Sequence, residues 1–333
     1  MNRLQTSFTR DAGVEVPLIC GAMYPCSNPE LVGAVSEAGA LGVIQPLSFA
    51  YVHDSSFAAG LERVRAITDR PLGFNAIVEK SVKAYETRMR SWISEALAAD
   101  VRFFITALGN PRWVCDLVHA EGGVVYHDVT NRRWAEKALE SGVDGFICVN
   151  NRAGGHAGKL SPAQLMAELS DLGKPLVCAG GIGDETAYVA AMEQGYAACQ
   201  LGTRFIATEE CNVHESYREA IVAAREDDVV LTDKLSGVDV AVLRNEHLDR
   251  IGYRAGPVAR WLLRGRKTKH WMRAYYALRS VRALKRSSLN GLSYKDVYQA
   301  GKSVAGVSEV EPAGEVVRRF ADALREAGVS SAG

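Results

Sequence analysis

Short apolar runs, many of them β-branched, recur along the first two thirds of the chain, at residues 17–23, 41–46, 72–78, 102–108, 124–129, 145–150, 175–182 and 198–206. Between and after them lie longer stretches in which apolar residues return every three to four positions: 29–38, 56–67, 83–98, 111–121, 132–141, 162–169, 185–194 and 214–225. The short runs predict strands, and the three-to-four spacing predicts amphipathic helices. The strand runs are apolar throughout rather than alternating, as expected for parallel strands covered on both faces. An open doubly wound sheet shows the same local signals. Eight strand–helix units in about 210 residues match the count and length of a (β/α)8 TIM barrel, which is the expected fold.

The rhythm changes near residue 228. A barrel over 1–227 is therefore expected to carry a mainly helical, partly basic appendage over 228–333, packed on the barrel and completing its mouth. The stretch 313–327 reads as a closing amphipathic helix, and no Pro/Ser-rich linker separates the two parts.

Composition narrows the class. Of 333 residues, 47% are hydrophobic and 23% charged, enough to bury a large core and too apolar for a disordered chain. No apolar run reaches about 18 residues and no secretory pattern is visible, so no integral membrane segment and a cytoplasmic location are expected. The seven cysteines are odd in number, never spaced C-x-x-C and set in apolar runs. They read as reduced core thiols, with neither a disulfide framework nor a metal site. Lys plus Arg balances Asp plus Glu at 39 each, but residues 254–286 hold 11 Lys/Arg and no acid, leaving a net charge of −11 elsewhere. Such segregation suits an internal clamp or an anionic ligand and does not require nucleic acid.

In a barrel, functional groups collect where strands end and βα loops begin. After the seventh run comes Ala179-Gly180-Gly181-Ile182-Gly183-Asp184, and the eighth contains Leu201-Gly202-Thr203-Arg204. Glycines there allow close approach of backbone N–H groups to an anion, helped by the following helix N-termini; the position of both loops suits a barrel phosphate cradle. Tight turns alone would also explain them. After the sixth run, His156 stands in Gly154-Gly155-His156-Ala157-Gly158-Lys159, a bed without an apolar wall, and at the mouth an imidazole exchanges protons near neutral pH. Lys159 could orient an anionic substrate or be simply solvated. Gly21, Ala22 and Met23 leave room for a flat ring, Asn75 offers a donor and an acceptor, and His127-Asp128 end the fifth run. A flat, phosphorylated cofactor such as flavin mononucleotide (FMN) fits this set. Pyridoxal phosphate would need a strand-borne lysine, and none of the eight runs has one. Gly181-x-Gly183-x-x-Thr186 and Gly301-Lys302-Ser303 fail the spacing of a dinucleotide fingerprint and a P-loop.

Taken together, 153–158 (AGGHAG), 179–182 (AGGI) and 200–205 (QLGTRF), with 298–303 (YQAGKS) near the C-terminus, resemble the nitronate monooxygenase family, whose relatives include flavin-dependent enoyl-acyl-carrier-protein reductases and NADH:quinone reductases. The resemblance implies an FMN-bearing barrel. It places Gly21, Ala22 and Met23 along the flavin ring, Asn75 at its polar edge, Gly154 near it, and Gly180, Gly181, Gly202 and Thr203 around the phosphate. His156 corresponds to the family's catalytic histidine. Asp128 departs from the lysine of quinone-reductase-like members, and the basic stretch resembles members that act on bulky anionic thioesters.

The first expected reaction is oxidation of an alkyl nitronate with O2. The alternative is NAD(P)H-dependent reduction of an enoyl thioester of coenzyme A (CoA) or acyl-carrier protein, or of a quinone. In that case Arg260, Arg264, Arg266, Lys267, Lys269 and Arg273 would meet phosphates. A non-enzymatic reading, a membrane-surface or binding protein, rests on Trp261, Trp271, Tyr275 and Tyr276 among those basic residues.

Overall fold

The structure is a computed structural model, and it describes residues 3–53, 56–78, 83–234, 238–254, 289 and 298–330. Eight parallel strands close into a barrel in chain order: β1 (Leu18–Cys20), β2 (Leu41–Ile44), β3 (Leu72–Ile77), β4 (Phe103–Ala107), β5 (Val124–Val129), β6 (Gly145–Val149), β7 (Leu176–Ala179) and β8 (Ala198–Leu201). Pairing of β1 with both β2 and β8 seals the ring, so no barrel strand has a free edge. All eight expected strands and all eight expected helices are present.

Period-two alternation divides each strand between two cores. Ile19, Leu41, Val43, Phe103, Ile105, Tyr126, Ile147, Val177 and Ala198 fill the barrel interior. Their neighbours Leu18, Cys20, Ile44, Phe74, Phe104, Val125, Phe146, Cys178 and Cys199 face the helices. All seven cysteines are free and buried, as the sequence led us to expect.

The short N-terminal helix Ser7–Ala12 was not anticipated. Thr6 caps it in a reciprocal capping box, and Phe8 enters the interior edge-on to Phe103 at 5.5 Å. Asp11 accepts a hydrogen bond from the Tyr126 hydroxyl at 2.7 Å. This helix stops the barrel at its N-terminal end, opposite the end where the βα loops lie.

The helix Ala313–Ser330 covers the outside of the barrel against the helices Glu185–Glu193 and Pro29–Glu37, with Phe320 5.3 Å from Tyr188. Arg204, 1% exposed, fixes the chain leading into it. Its guanidinium donates to the carbonyls of Ala207 (2.7 Å) and Glu309 (2.9 Å) and pairs with Glu311 at 3.4 Å. One expectation needs correction: the region after 228 does not begin as helix. β9 (Val229–Thr232) and β10 (Val240–Leu243) form an antiparallel pair, consistent with their β-branched composition. The basic and aromatic residues 260–276 on which the thioester-phosphate and membrane-surface readings rest lie outside the described residues. Among the described residues no helix is long and apolar enough to cross a membrane.

Interior packing leaves no slack at Gly145, where an added Cβ would overlap the Tyr126 ring. That ring is held by Asp11 and by Phe103, 4.8 Å away, so it cannot yield. Gly145→Ala is expected to cost about 1–3 kcal/mol. A urea-denaturation midpoint equal to that of the parent would contradict this packing.

Candidate active site

Strand parity selects which polar residues look into the open end. On β3, Phe74 and Ala76 belong to the outer core, so Asn75 faces inward; its Nδ2 lies 3.4 Å from the Ile105 carbonyl. On β5, Tyr126 is inside, so Asp128 two residues on is also inside, level with Ile147 of β6. On β8, Ala198 is inside, and so is Gln200. Gly21 stands beside Gln200 on the neighbouring strand end, with no room for a side chain: an added Cβ would lie 2.9 Å from Gln200 Cγ. Ala22 packs on the interior core, and Met23 lies beside Gly202, 3.4 Å from where a Cβ there would be.

His127 has the opposite parity. It is buried on the outer face, 2.8 Å from Thr106 Oγ1, and burial pushes its pKa down to about 4. It is a neutral structural histidine and takes no part in the mouth.

Two buried side-chain oxygens at the inner strand ends, Asp128 Oδ1 and Gln200 Oε1, have no hydrogen-bond partner among the described residues. Buried polar groups are rarely left so, and two at one concave end mark a place built for a polar-edged molecule. Burial alone raises the Asp128 pKa to about 7.

The glycine turns lie beside this end. β7 and β8 are neighbours with Ala179 level with Gln200, so Gly180-Gly181 and Gly202-Thr203 emerge together. Gly180 and Gly181 have φ of +118° and +80°, a region L side chains avoid. The turn is held from β6: Asn150, fully buried, donates from Nδ2 to the Gly180 carbonyl at 2.9 Å and accepts from the Arg152 N–H at 2.8 Å. The Arg152 side chain runs against Gly181, whose added Cβ would be 2.6 Å from Nε. Arg152 pairs bidentately with Glu226 (3.0 and 2.7 Å), and Lys302 reaches the same carboxylate at 3.2 Å. Hydrogen bonding from Arg152 lowers the Glu226 pKa, with Lys302 adding to the effect, so within this cluster two cations share one anion.

The helix contribution expected at the seventh unit is corrected. The helix Glu185–Glu193 begins with Asp184, whose Oδ1 accepts from the Ala187 N–H at 2.8 Å, followed by Glu185. Those carboxylates already take that N-terminus, so the attraction for an anion comes from the glycine turns and the Arg152 network.

The C-terminal residues 298–303 complete the site. Gly154 and Gly301 cross backbone to backbone: a Cβ on Gly301 would lie 2.6 Å from Gly154 N, and one on Gly154 would lie 2.9 Å from Gly301 N. Gly301 N–H donates to Thr203 Oγ1 at 3.0 Å, and Lys302 N–H to the Arg152 carbonyl at 2.9 Å. From the other side, Ala241 of β10 donates to the Gly155 carbonyl at 2.8 Å. His156 follows directly on this clamped loop. The residue is exposed, and partial desolvation lowers its pKa from the usual imidazole value. Lys159 is exposed on the same loop.

The nitronate monooxygenase family model matches residues 5–323. The chain belongs to the nitronate monooxygenase family. It is therefore a flavin-dependent oxidoreductase. A Mycobacterium tuberculosis protein named (3aS,4S,5R,7aS)-5-hydroxy-7a-methyl-1-oxo-octahydro-1H-indene-4-carboxyl-CoA dehydrogenase is 28% identical over 253 residues, 75% of this chain and 69% of its own length. A Pseudomonas aeruginosa nitronate monooxygenase is 27% identical over 281 residues, 72% of this chain and 79% of its own. Among solved structures, FabK from Thermotoga maritima superposes with a TM-score of 0.82 at 26% identity, covering 99% of each chain.

The groups present fit a flavin: a glycine cradle beside the Arg152–Glu226–Lys302 cluster for a phosphate, small residues at Gly21 and Ala22, and a polar ring of Asn75, Asp128 and Gln200. Sequence reasoning singled out the glycines, His156 and Asn75. It gave no role to Asn150, Gln200 or Gly301, although inward parity at the end of a buried strand was a readable signal for Gln200. Removing Asn150 leaves the Gly180 carbonyl and Arg152 N–H without their partner, so Asn150→Ala is expected to lose about 1–3 kcal/mol. A denaturant midpoint unchanged in this variant would show that the two loops do not depend on it.

Proposed function

We propose that this enzyme uses FMN to reduce the α,β double bond of an acyl thioester of CoA or acyl-carrier protein, with NAD(P)H as the electron donor. The observation that carries the reading is His156: an exposed histidine of lowered pKa on a clamped glycine loop that follows β6. An exposed position there suits the end of a long substrate whose phosphates stay outside. The acid-free basic stretch 254–286 and the CoA-ester relative support the same substrate class.

When bound, the flavin supplies two-electron exchange. The rest is the work of the chain. Gly180, Gly181, Gly202 and Thr203, with the Arg152–Glu226–Lys302 network beside them, hold the phosphate. Gly21, Ala22, Met23 and Gly154 shape the slot, and Asn75 and Gln200 hydrogen-bond the ring edge. His156 donates a hydrogen bond to the thioester carbonyl oxygen, where negative charge grows as the β-carbon accepts hydride. Lys159 meets a phosphate of the substrate's carrier arm.

Nitronate oxidation with O2, the first expectation from sequence, stands as the second reading. The family model and the Pseudomonas relative favour it, and the same imidazole would hydrogen-bond the nitro group. Anaerobic spectroscopy separates the two. NADPH should bleach the flavin and an enoyl-CoA restore its colour; bleaching by an alkyl nitronate alone, with no response to NADPH, would reverse the order. His156→Ala should retain flavin absorbance and lose about a hundredfold to ten-thousandfold in kcat. A variant as fast as the parent would remove His156 from the chemistry.

A further inference from the structure

Among the described residues Asp128 has no partner that explains its position. Its carboxyl is on the inner face of β5 with Oδ1 buried and unbonded, and among the described residues no Lys, Arg or His hydrogen-bonds or ion-pairs with it. Its register partner Ile147 on β6 is apolar, as is Ile105, an inward residue of β4. Cys148 of β6 interacts electrostatically with it, but burial pushes that thiol far up, so it is uncharged. Asn75 on β3 and Gln200 on β8 face the same end and do not titrate, while desolvation lowers the His156 pKa and so favours its uncharged form. A half-buried carboxyl with one oxygen shut away from water and unbonded is costly to the fold, which argues that it serves the bound molecule.

We propose that Asp128 is the proton acceptor that balances charge when the bound flavin is reduced. The inference rests on the flavin reading of the site. A hydride from NAD(P)H brings two electrons and one proton to the ring, the nicotinamide leaves oxidised, and the ring gains one negative charge. Asp128 takes one proton from water at the mouth and becomes the neutral acid, so the charge at the barrel end is unchanged. When the hydride passes to the substrate's β-carbon, Asp128 returns its proton to solvent and the substrate's α-carbon takes one from solvent, which completes the saturated thioester. A second negative charge beside an ionised carboxylate is strongly disfavoured away from water. A group whose pKa is about 7 changes state at little cost near neutral pH.

The test is the reduction potential of the FMN-loaded full chain against pH, by equilibration with indicator dyes, in the parent and in Asp128→Asn. A tenfold change in proton concentration moves a two-electron couple by about 30 mV per proton. The parent should fall by about 30 mV per pH unit below pH ~7 and by about 59 mV above it, as the second proton joins. Asp128→Asn should keep the shallow slope throughout, and identical slopes in the two proteins would overturn the proposal.

Thermal unfolding of the flavin-free protein gives an independent readout. The folded pKa of Asp128 is raised, so its ionisation is a cost that grows with pH from the unfolded carboxylate value to about 7 and is constant above. Asp128→Asn should therefore have the higher Tm at pH 8, with the gap closing toward pH 4. A constant gap, or none, would mean that the carboxylate is not isolated in the fold and would also overturn the proposal. A protein that takes up no FMN would overturn the flavin reading and this inference together; unchanged slopes in loaded protein would overturn this inference alone.

Discussion

The backbone crossing of Gly154 and Gly301 is the constraint on which the site depends. Neither position has room for a Cβ, so the β6 loop and the C-terminal segment meet at a distance that only two glycines permit. The crossing lets Gly301 N–H reach Thr203 and Lys302 N–H reach the Arg152 carbonyl. It thereby joins the β6 loop, the β8 turn and a segment about a hundred residues later into one rim. His156 is held over the barrel end because the two residues before it are fastened on opposite sides, Gly154 to Gly301 and Gly155 to Ala241. A histidine on an unfastened glycine loop would sweep a wide volume; here the loop's conformational entropy is lost on folding rather than at each turnover.

Below the rim, the barrel makes the site one-sided. Phe8 and the Asp11–Tyr126 hydrogen bond close the N-terminal end, and large side chains fill the interior up to the last residues of the strands. At that level the inward positions turn from Ile, Val and Phe to Asn75, Asp128 and Gln200. Folding alone would favour apolar residues at these positions, because buried polar atoms without partners, as at Asp128 and Gln200, destabilise the native state. The departure from the apolar pattern is confined to the end where the glycine turns emerge, which is the coincidence that locates function in a packed scaffold.

The repeat of strands and helices was legible because every barrel strand is a short, doubly buried apolar run and every helix carries its own apolar period; neither needs a distant residue to declare itself. The glycine turns and His156 were legible for a similar reason, since glycine at a strand end is a local signal. What was not legible depended on three-dimensional parity or on distant pairing. His127 and Asp128 are adjacent in sequence and both end a strand, yet one bonds Thr106 outside the barrel and the other faces the site. Gly301-Lys302-Ser303, rightly rejected as a P-loop, gave no sign that it packs on Gly154. β9 and β10 carry ordinary β-branched runs that were overshadowed by the aromatic, basic sequence following them.

In the proposed reading, two glycine turns beside the Arg152–Glu226–Lys302 network accept the phosphate of a flavin. The affinity of the flavin-free protein for FMN and for riboflavin, which has the same ring and no phosphate, measured by fluorescence quenching, isolates that contribution. FMN should bind tighter by at least about tenfold, roughly 1.4 kcal/mol, with the advantage shrinking in high salt. Equal affinities, or no binding of either, would contradict it.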